Sequence, residues 1–280
     1  MKPRLIDTHA HLDAEIYTND LDIVVKHALE EGVWMVTIGD DYASSKRAVQ
    51  IAERYPEGVY AAIGLHPLKV SGALTADDKL LELERFHELA THPKVVAIGE
   101  TGLDFHDIPD HDRNDPRLME ARLKKENQMR VFGKFLDLSR EMRLPLLLHC
   151  REAHEEMLDM LETWNKTTRG FDSHGIIHCF SGDWREARRY YNLDFAISFT
   201  GLMTHGAYQT EVLKNSPESR IVVESDCPYL TPVAWSIRRN EPAYCASVAA
   251  AVAGTRGVTS DTVERFTTEN ALRILKRIPR

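Results

Sequence analysis

Histidines and carboxylates sit where the apolar runs of this chain stop. His9 and His11 follow the run at residues 5–8, His66 comes three residues after 59–63, and Glu100 lies two past 95–98. His149 and His178 end the runs at 145–149 and 175–178, and Asp226 follows 221–224. Imidazole nitrogens and carboxylate oxygens are the ligands that zinc, manganese and related divalent ions take. Residues two apart on a strand share a face, so His9 and His11 are able to point into one site. Alone, such a pair is ordinarily two surface histidines in a loop. A carboxylate such as Glu100 can bridge two cations through its two oxygens, or else cap a helix or make an ion pair. Asp226 suits a ligand, a proton acceptor or both, against a helix N-cap as the plainer role. Arg151 carries a planar fork that fits a phosphate oxygen, or pairs at the start of a helix. His66 meets a substrate oxygen or supports a ligand from behind. Cys150, Cys179 and Cys227 each neighbour one of these groups, so they face the other way and read as buried packing residues.

Eight short apolar runs must position these groups: 5–8, 33–38, 59–63, 95–98, 145–149, 175–178, 195–199 and 221–224. They are continuously apolar rather than alternating, as in a parallel sheet covered on both faces. Amphipathic stretches separate them. Asn19 is placed to cap a helix running to Glu31, and Ser44 or Ser45 to cap the next. Further helices are expected at 76–89, 118–141, 152–162, 184–191 and 207–215, and two more close the chain at 241–253 and 261–276. Eight such units predict an α/β fold, a single (β/α)8 TIM-type barrel with C-terminal helices, occupying residues 1–280 as one domain. Functional residues of that fold gather at the C-terminal ends of the strands, which is where the groups named above fall. The segment 105–117 is rich in Asp, His and Pro and reads as a long loop, either a solvated lid or a partner-facing surface. An extra cation site at His106, Asp110, His111 and Asp112 is the alternative.

The chain has 280 residues, 35 basic and 43 acidic, for a net charge of -8, and 43% are hydrophobic. That composition excludes a disordered chain, a fibre and a collagen-like repeat. No apolar run reaches the roughly 20 residues that span a bilayer, and no export segment follows the basic start. The four cysteines form no CxxC pair. A cytoplasmic protein with reduced thiols and no membrane contact is expected. An acidic protein attracts a polyphosphate only through local charge. Two divalent cations with Glu100 and Asp226 would leave about +2 at the site.

The motifs Ile6-Asp7-Thr8-His9-Ala10-His11-Leu12-Asp13, Gly64-Leu65-His66-Pro67 and Ala97-Ile98-Gly99-Glu100-Thr101-Gly102-Leu103-Asp104 run in a distinctive order. They continue with His149-Cys150-Arg151-Glu152-Ala153, His178-Cys179-Phe180-Ser181-Gly182, Glu224-Ser225-Asp226-Cys227-Pro228-Tyr229-Leu230-Thr231-Pro232 and Arg239-Asn240-Glu241-Pro242-Ala243-Tyr244. Over nearly its whole length the chain resembles the TatD family of metal-dependent deoxyribonucleases, within the amidohydrolase-type superfamily. The resemblance implies two metal positions, one of His9, His11, Glu100 and Asp226 and the other of Glu100, His149 and His178. It also places His66 near the scissile phosphate. The chain departs from the family at Phe135, where a second glutamine usually follows the one matching Gln128. Its loop after Asp104 looks longer, and its segment 232–238 is less rich in proline and glycine.

The expected activity is metal-assisted hydrolysis of phosphodiesters, as by a deoxyribonuclease or exonuclease, with DNA ahead of RNA as substrate. The cations would polarise a phosphoryl oxygen and acidify a water. Asp226 would orient or deprotonate that water, and His66 with Arg151 would position the phosphate. The ion is zinc, manganese or magnesium; the histidine-rich ligand set favours a softer ion than Mg²⁺. The alternative keeps the site and changes the bond, as in ester or amide hydrolysis by a D-aminoacyl-tRNA deacylase. A non-catalytic interaction barrel with structural metal is the third reading, and the complete ligand set argues against it. The oligomeric state is left open, a monomer being compatible.

Overall fold

The computed structural model describes residues 2–70, 76–108, 117–168 and 174–280. Eight parallel strands form one sheet in sequence order. They are β1 (Leu5–Ala10), β2 (Val33–Ile38), β3 (Val59–Ile63), β4 (Val95–Asp104), β5 (Leu146–Arg151), β6 (Gly175–Ile177), β7 (Phe195–Phe199) and β8 (Ile221–Val223). Seven helices follow successive strands or connect them: α1 (Leu21–Glu30), α2 (Tyr42–Glu53), α3 (Ala76–Ala90), α4 (Arg117–Met142), α5 (His154–Asn165), α6 (Trp184–Asn192) and α7 (Thr210–Asn215). After β8 come α8 (Cys245–Arg256) and α9 (Ser260–Ile274). The sheet curls into a TIM-type barrel. Its seam is closed at the C-terminal rim, where Asp226 N–H donates to His9 O at 2.9 Å and His11 N–H to Cys227 O at 2.8 Å.

Alternation along the strands builds two cores. Ile6, Val36, Ala62, Leu147, Ile176, Ala196 and Val222 fill the barrel together with Ala271 and Ile274 of α9 and Leu275 just beyond it, which thus plug the end opposite the site. Leu5, Met35, Ile63, Leu146, Ile177, Ile197 and Val223 face the helical layer instead. Full burial of each such side chain is worth about 1.5–3 kcal/mol. The apolar continuity of the strands therefore reflects two buried faces.

Several expected boundaries move for local reasons. Asp41, rather than Ser44 or Ser45, caps α2: its side chain accepts from Ser44 N–H, while Ser44 Oγ accepts from Asp41 N–H, both at 2.8 Å. This is a reciprocal capping box. Asp20, not Asn19, precedes α1, and its carboxylate is held by Arg239 instead of the helix. α5 begins at His154 because Glu152 adopts a left-handed backbone, and α7 begins only after Gln209 does the same. The stretch at 241–253 divides into a 3-10 turn, Pro242–Tyr244, and α8. No helix among the described residues is long and apolar enough to cross a membrane.

Candidate metal centre

Two strands carry an irregularity where the site needs one. Between Asp7 and Ala10, β1 uses three steps for two of β2, and between Ile98 and Thr101, β4 does the same against β5. Such bulges re-aim side chains. His9 lies in the first and Glu100 in the second. The expected strand end at residue 98 is thus a bulge, and β4 runs on to Asp104. Gly64, at the end of β3, allows the close approach: a Cβ there would stand 2.3 Å from Glu100 O.

Glu100 is buried at the middle of the rim, and each of its oxygens serves a different set of rings. Oε2 lies 3.3 Å from His9 Nε2 and 3.8 Å from His11 Nε2. Those two nitrogens are 3.2 Å apart, and Asp226 Oδ1 stands 3.9 and 3.5 Å from them. Oε1 lies 3.0 Å from His149 Nδ1, 3.3 Å from His66 Nε2 and 3.9 Å from His178 Nε2. His178 Nε2 is also 3.9 Å from Asp226 Oδ1. Donors around a cation at about 2.1 Å stand roughly 3.0–3.4 Å apart in octahedral or tetrahedral shells. The spacings of this cage fit that requirement after small adjustments. Groups of histidine and carboxylate able to hold a cation recur here, as His9–His11–Glu100 and as His66–Glu100–His149. The structure thus brings together all six residues expected as ligands.

The outer ring nitrogens explain the orientation. His149 Nε2 lies 2.9 Å from Asp104 Oδ2, so its Nδ1 lone pair is free to face the cage. His178 Nδ1 lies 2.8 Å from Glu224 Oε1, leaving Nε2 inward. His11 Nδ1 is 3.5 Å from Asp40 Oδ1. His66 differs. Its Nδ1 accepts from Leu68 N–H at 3.1 Å, so the proton of the neutral ring sits on Nε2. His66 therefore presents a donor, not a ligand lone pair, which removes it from the group with Glu100 and His149 and suits it to a phosphate oxygen.

Asp104, Glu224 and Asp40 stand behind these rings without being among the ligands that the strand ends predict. Asp104 follows Glu100 and Gly102 at period two on β4, and Glu224 precedes Asp226 by two; that periodicity was the available signal. Gln128 of α4 fixes the end of β4. Its Oε1 accepts from Asp104 N–H at 2.9 Å and its Nε2 donates to Asp104 O at 3.0 Å. Phe135 is buried against Phe86 with ring centroids 5.1 Å apart and takes no part in the site. Cys150 and Cys227 are buried, and Cys179 is half-buried in a left-handed turn. Arg151 lies exposed at the end of β5, opposite Asp104 in register, without an ion pair among the described residues. His106 pairs with Glu152 at 2.5 Å. The rest of the suggested extra cation site, Asp110, His111 and Asp112, lies outside the described residues.

Charges in the cage compensate one another. Burial acts to raise the Glu100 carboxyl, but His66, His9 and His149 outweigh it and hold it well below the ordinary value. Burial likewise opposes ionisation of Asp226, and the charges of His178, His11 and His9 overcome it. Burial would lower His11 and His178, yet the surrounding carboxylates push them up to about 9 and about 10. His9, deepest and beside His178, is lowered. Protons on these rings play the part that cations would, and they compete with them. Asp226 is not a helix cap: it holds a left-handed backbone that aspartate tolerates better than most residues.

The family model of TatD related DNase matches residues 6–276. A protein of Bacillus subtilis (strain 168) described as uncharacterized metal-dependent hydrolase YabD is 37% identical, over 97% of this chain and 99% of its own length. The 3'-5' ssDNA/RNA exonuclease TatD of Klebsiella pneumoniae (strain 342) is 32% identical, over 95% of each chain. The crystal structure of YJJV, a TatD homologue from Escherichia coli K12, superposes with a TM-score of 0.83 at 26% identity, covering 99% of both chains. The chain belongs to the TatD-related DNase family and is a metal-dependent hydrolase.

Proposed function

We propose that this hydrolase removes nucleotides from the ends of single-stranded nucleic acid, DNA ahead of RNA, with two divalent cations that His9, His11, Glu100, His149, His178 and Asp226 would hold. The observation that carries the reading is the division of the Glu100 carboxylate, Oε2 toward His9 and His11 and Oε1 toward His149 and His178. The naming of several relatives as 3'-5' ssDNA/RNA exonucleases supports the substrate class. Bound there, the cations would supply Lewis-acid polarisation of the phosphoryl group and an acidified water. The chain's own part is positional and protolytic. The Nε2–H of His66 donates to a phosphate oxygen. Asp226, kept ionised, orients the water or accepts its proton. Arg151 at the rim holds the flanking phosphate with its fork. Two histidines with one carboxylate favour zinc or manganese over magnesium. Four thiols without a disulfide suit a reducing cytoplasm, where we place the protein.

The test is Glu100→Ala, assayed for bound metal and for turnover of a single-stranded oligonucleotide, a D-aminoacyl-tRNA and a phosphotriester in parallel. Metal content and oligonucleotide cleavage should fall together. Full cleavage by the variant in the presence of chelator overturns the reading, as does wild-type turnover of the tRNA ester alone.

A further inference from the structure

Most of the large apolar side chains exposed on the described surface are not scattered. Ile16 follows β1, Leu68 follows β3, and Tyr229, Val233 and Ile237 follow β8, so five stand in loops at the rim of the barrel. Strands β8 and β1 are neighbours across the seam, and these loops border the metal centre. Among these five, Tyr229 is the one with a ring contact to a residue of the cage. Its ring centroid lies 5.8 Å from that of His11, edge to face at 71°.

The backbone of Tyr229 is fixed from both sides. Its N–H donates to Asp226 O at 2.9 Å, and its carbonyl accepts from Asn240 Nδ2 at 2.5 Å. Asn240 is itself buried and bonded to Ser225 O. The residue by contrast is 58% exposed, and its hydroxyl has no hydrogen-bond partner among the described residues. Apart from its edge contact with His11, the ring stands in water beside the cage on an anchored backbone. A solvated aromatic face beside a site that binds phosphate is an arrangement on which nucleobases stack.

We propose that Tyr229 is a stacking platform for the base attached to the scissile phosphate, so that the enzyme grips a terminal nucleotide by its ring as well as by its phosphate. The inference rests on the phosphodiester reading above and adds to it a demand for an unpaired base. A base in a duplex is already stacked and cannot lie on the ring. Selection for single strands follows from that geometry. Stacking accepts any base, so no sequence preference is expected.

The experiment compares wild type, Tyr229→Ala and Tyr229→Phe, each loaded with Mn²⁺, on a single-stranded oligonucleotide, the same oligonucleotide with an abasic terminal residue, and bis(p-nitrophenyl) phosphate. For Tyr229→Ala, kcat/KM on the intact oligonucleotide should fall about 10-fold or more relative to its value on the small diester, chiefly through KM. The abasic end should cost wild type a similar factor and the alanine variant little. Tyr229→Phe should behave as wild type. A second readout needs no metal: 2-aminopurine at the terminal position should lose fluorescence on binding wild type and Tyr229→Phe, and keep it with Tyr229→Ala. Equal losses on oligonucleotide and small diester, or no loss on either, overturn the inference. A loaded wild-type enzyme inert toward the small diester and the oligonucleotide alike overturns the phosphodiester reading and this inference with it.

Discussion

At the scale of single residues, the centre depends on carboxylates that touch no substrate. Asp104 sets the tautomer of His149 by standing 2.9 Å from its Nε2, and Glu224 stands 2.8 Å from His178 Nδ1 as a charge partner. Asp104→Asn keeps the volume and removes the charge. Metal affinity should fall about 10–100-fold, with turnover recovering when excess metal is added. A metal titration that leaves affinity at the wild-type value rules out this role. The residues that the fold gathers at the rim were legible in the sequence because chemistry-bearing types fall at predicted strand ends. The orienting residues were less so. A carboxylate that serves a ring from behind has the same local signature as a helix cap or a surface ion pair, and only the fold says which ring it meets. His66 shows a further limit: the sequence places it beside the substrate or behind a ligand, and only the hydrogen bond from Leu68 N–H, which no spacing rule reveals, says which ring nitrogen faces the cage.

The elements act through where they bend. All eight strands were anticipated from apolar runs, since two buried faces leave a strong pattern. The bulge that carries Glu100 left no such mark, and β4 therefore extends six residues beyond the expected stop, from Ile98 to Asp104. Helix starts shifted because competing groups, Arg239 for Asp20 and Ser44 for Asp41, decide which polar side chain caps. Gly64 is the counterpart of the bulge on the neighbouring strand. Gly64→Ala places a methyl 2.3 Å from Glu100 O, so β3 and β4 must part. A destabilisation of about 1–3 kcal/mol is expected, together with weaker metal binding. Thermal unfolding and metal titration of the same preparation measure both. Wild-type affinity in a destabilised variant would mean that Glu100 is held in place by other contacts.

At the scale of the whole molecule, acid should act at a place apart from the cage. His154 on α5 is buried, with Nδ1 3.0 Å from Tyr190 Oη and Nε2 3.3 Å from Ser181 Oγ. Burial pushes it from 6.5 down to about 4, against the charges of Asp183 and Glu155. In the unfolded chain it takes up a proton near 6.5; in the folded one it does not until about pH 4. Its contribution is thus complete above about pH 6.5 and is lost as pH falls toward 4, amounting to roughly 2–3 kcal/mol. Melting temperatures of the chelated protein between pH 7 and 4.5 should fall steeply for wild type and less for His154→Gln. Parallel curves would assign the acid sensitivity elsewhere.

The seam between β8 and β1 carries one more implication. His9 and His11 come from the first strand, Asp226 from the end of the last, and the two backbones bind each other there. During synthesis the early histidines emerge some two hundred residues before their carboxylate partner. A nascent chain consequently lacks the last member of the group formed by His9, His11, Glu100 and Asp226, and that group is completed only when the ring of strands closes. Hydrolytic competence is withheld from the growing polypeptide and released only once the circle of strands has been joined.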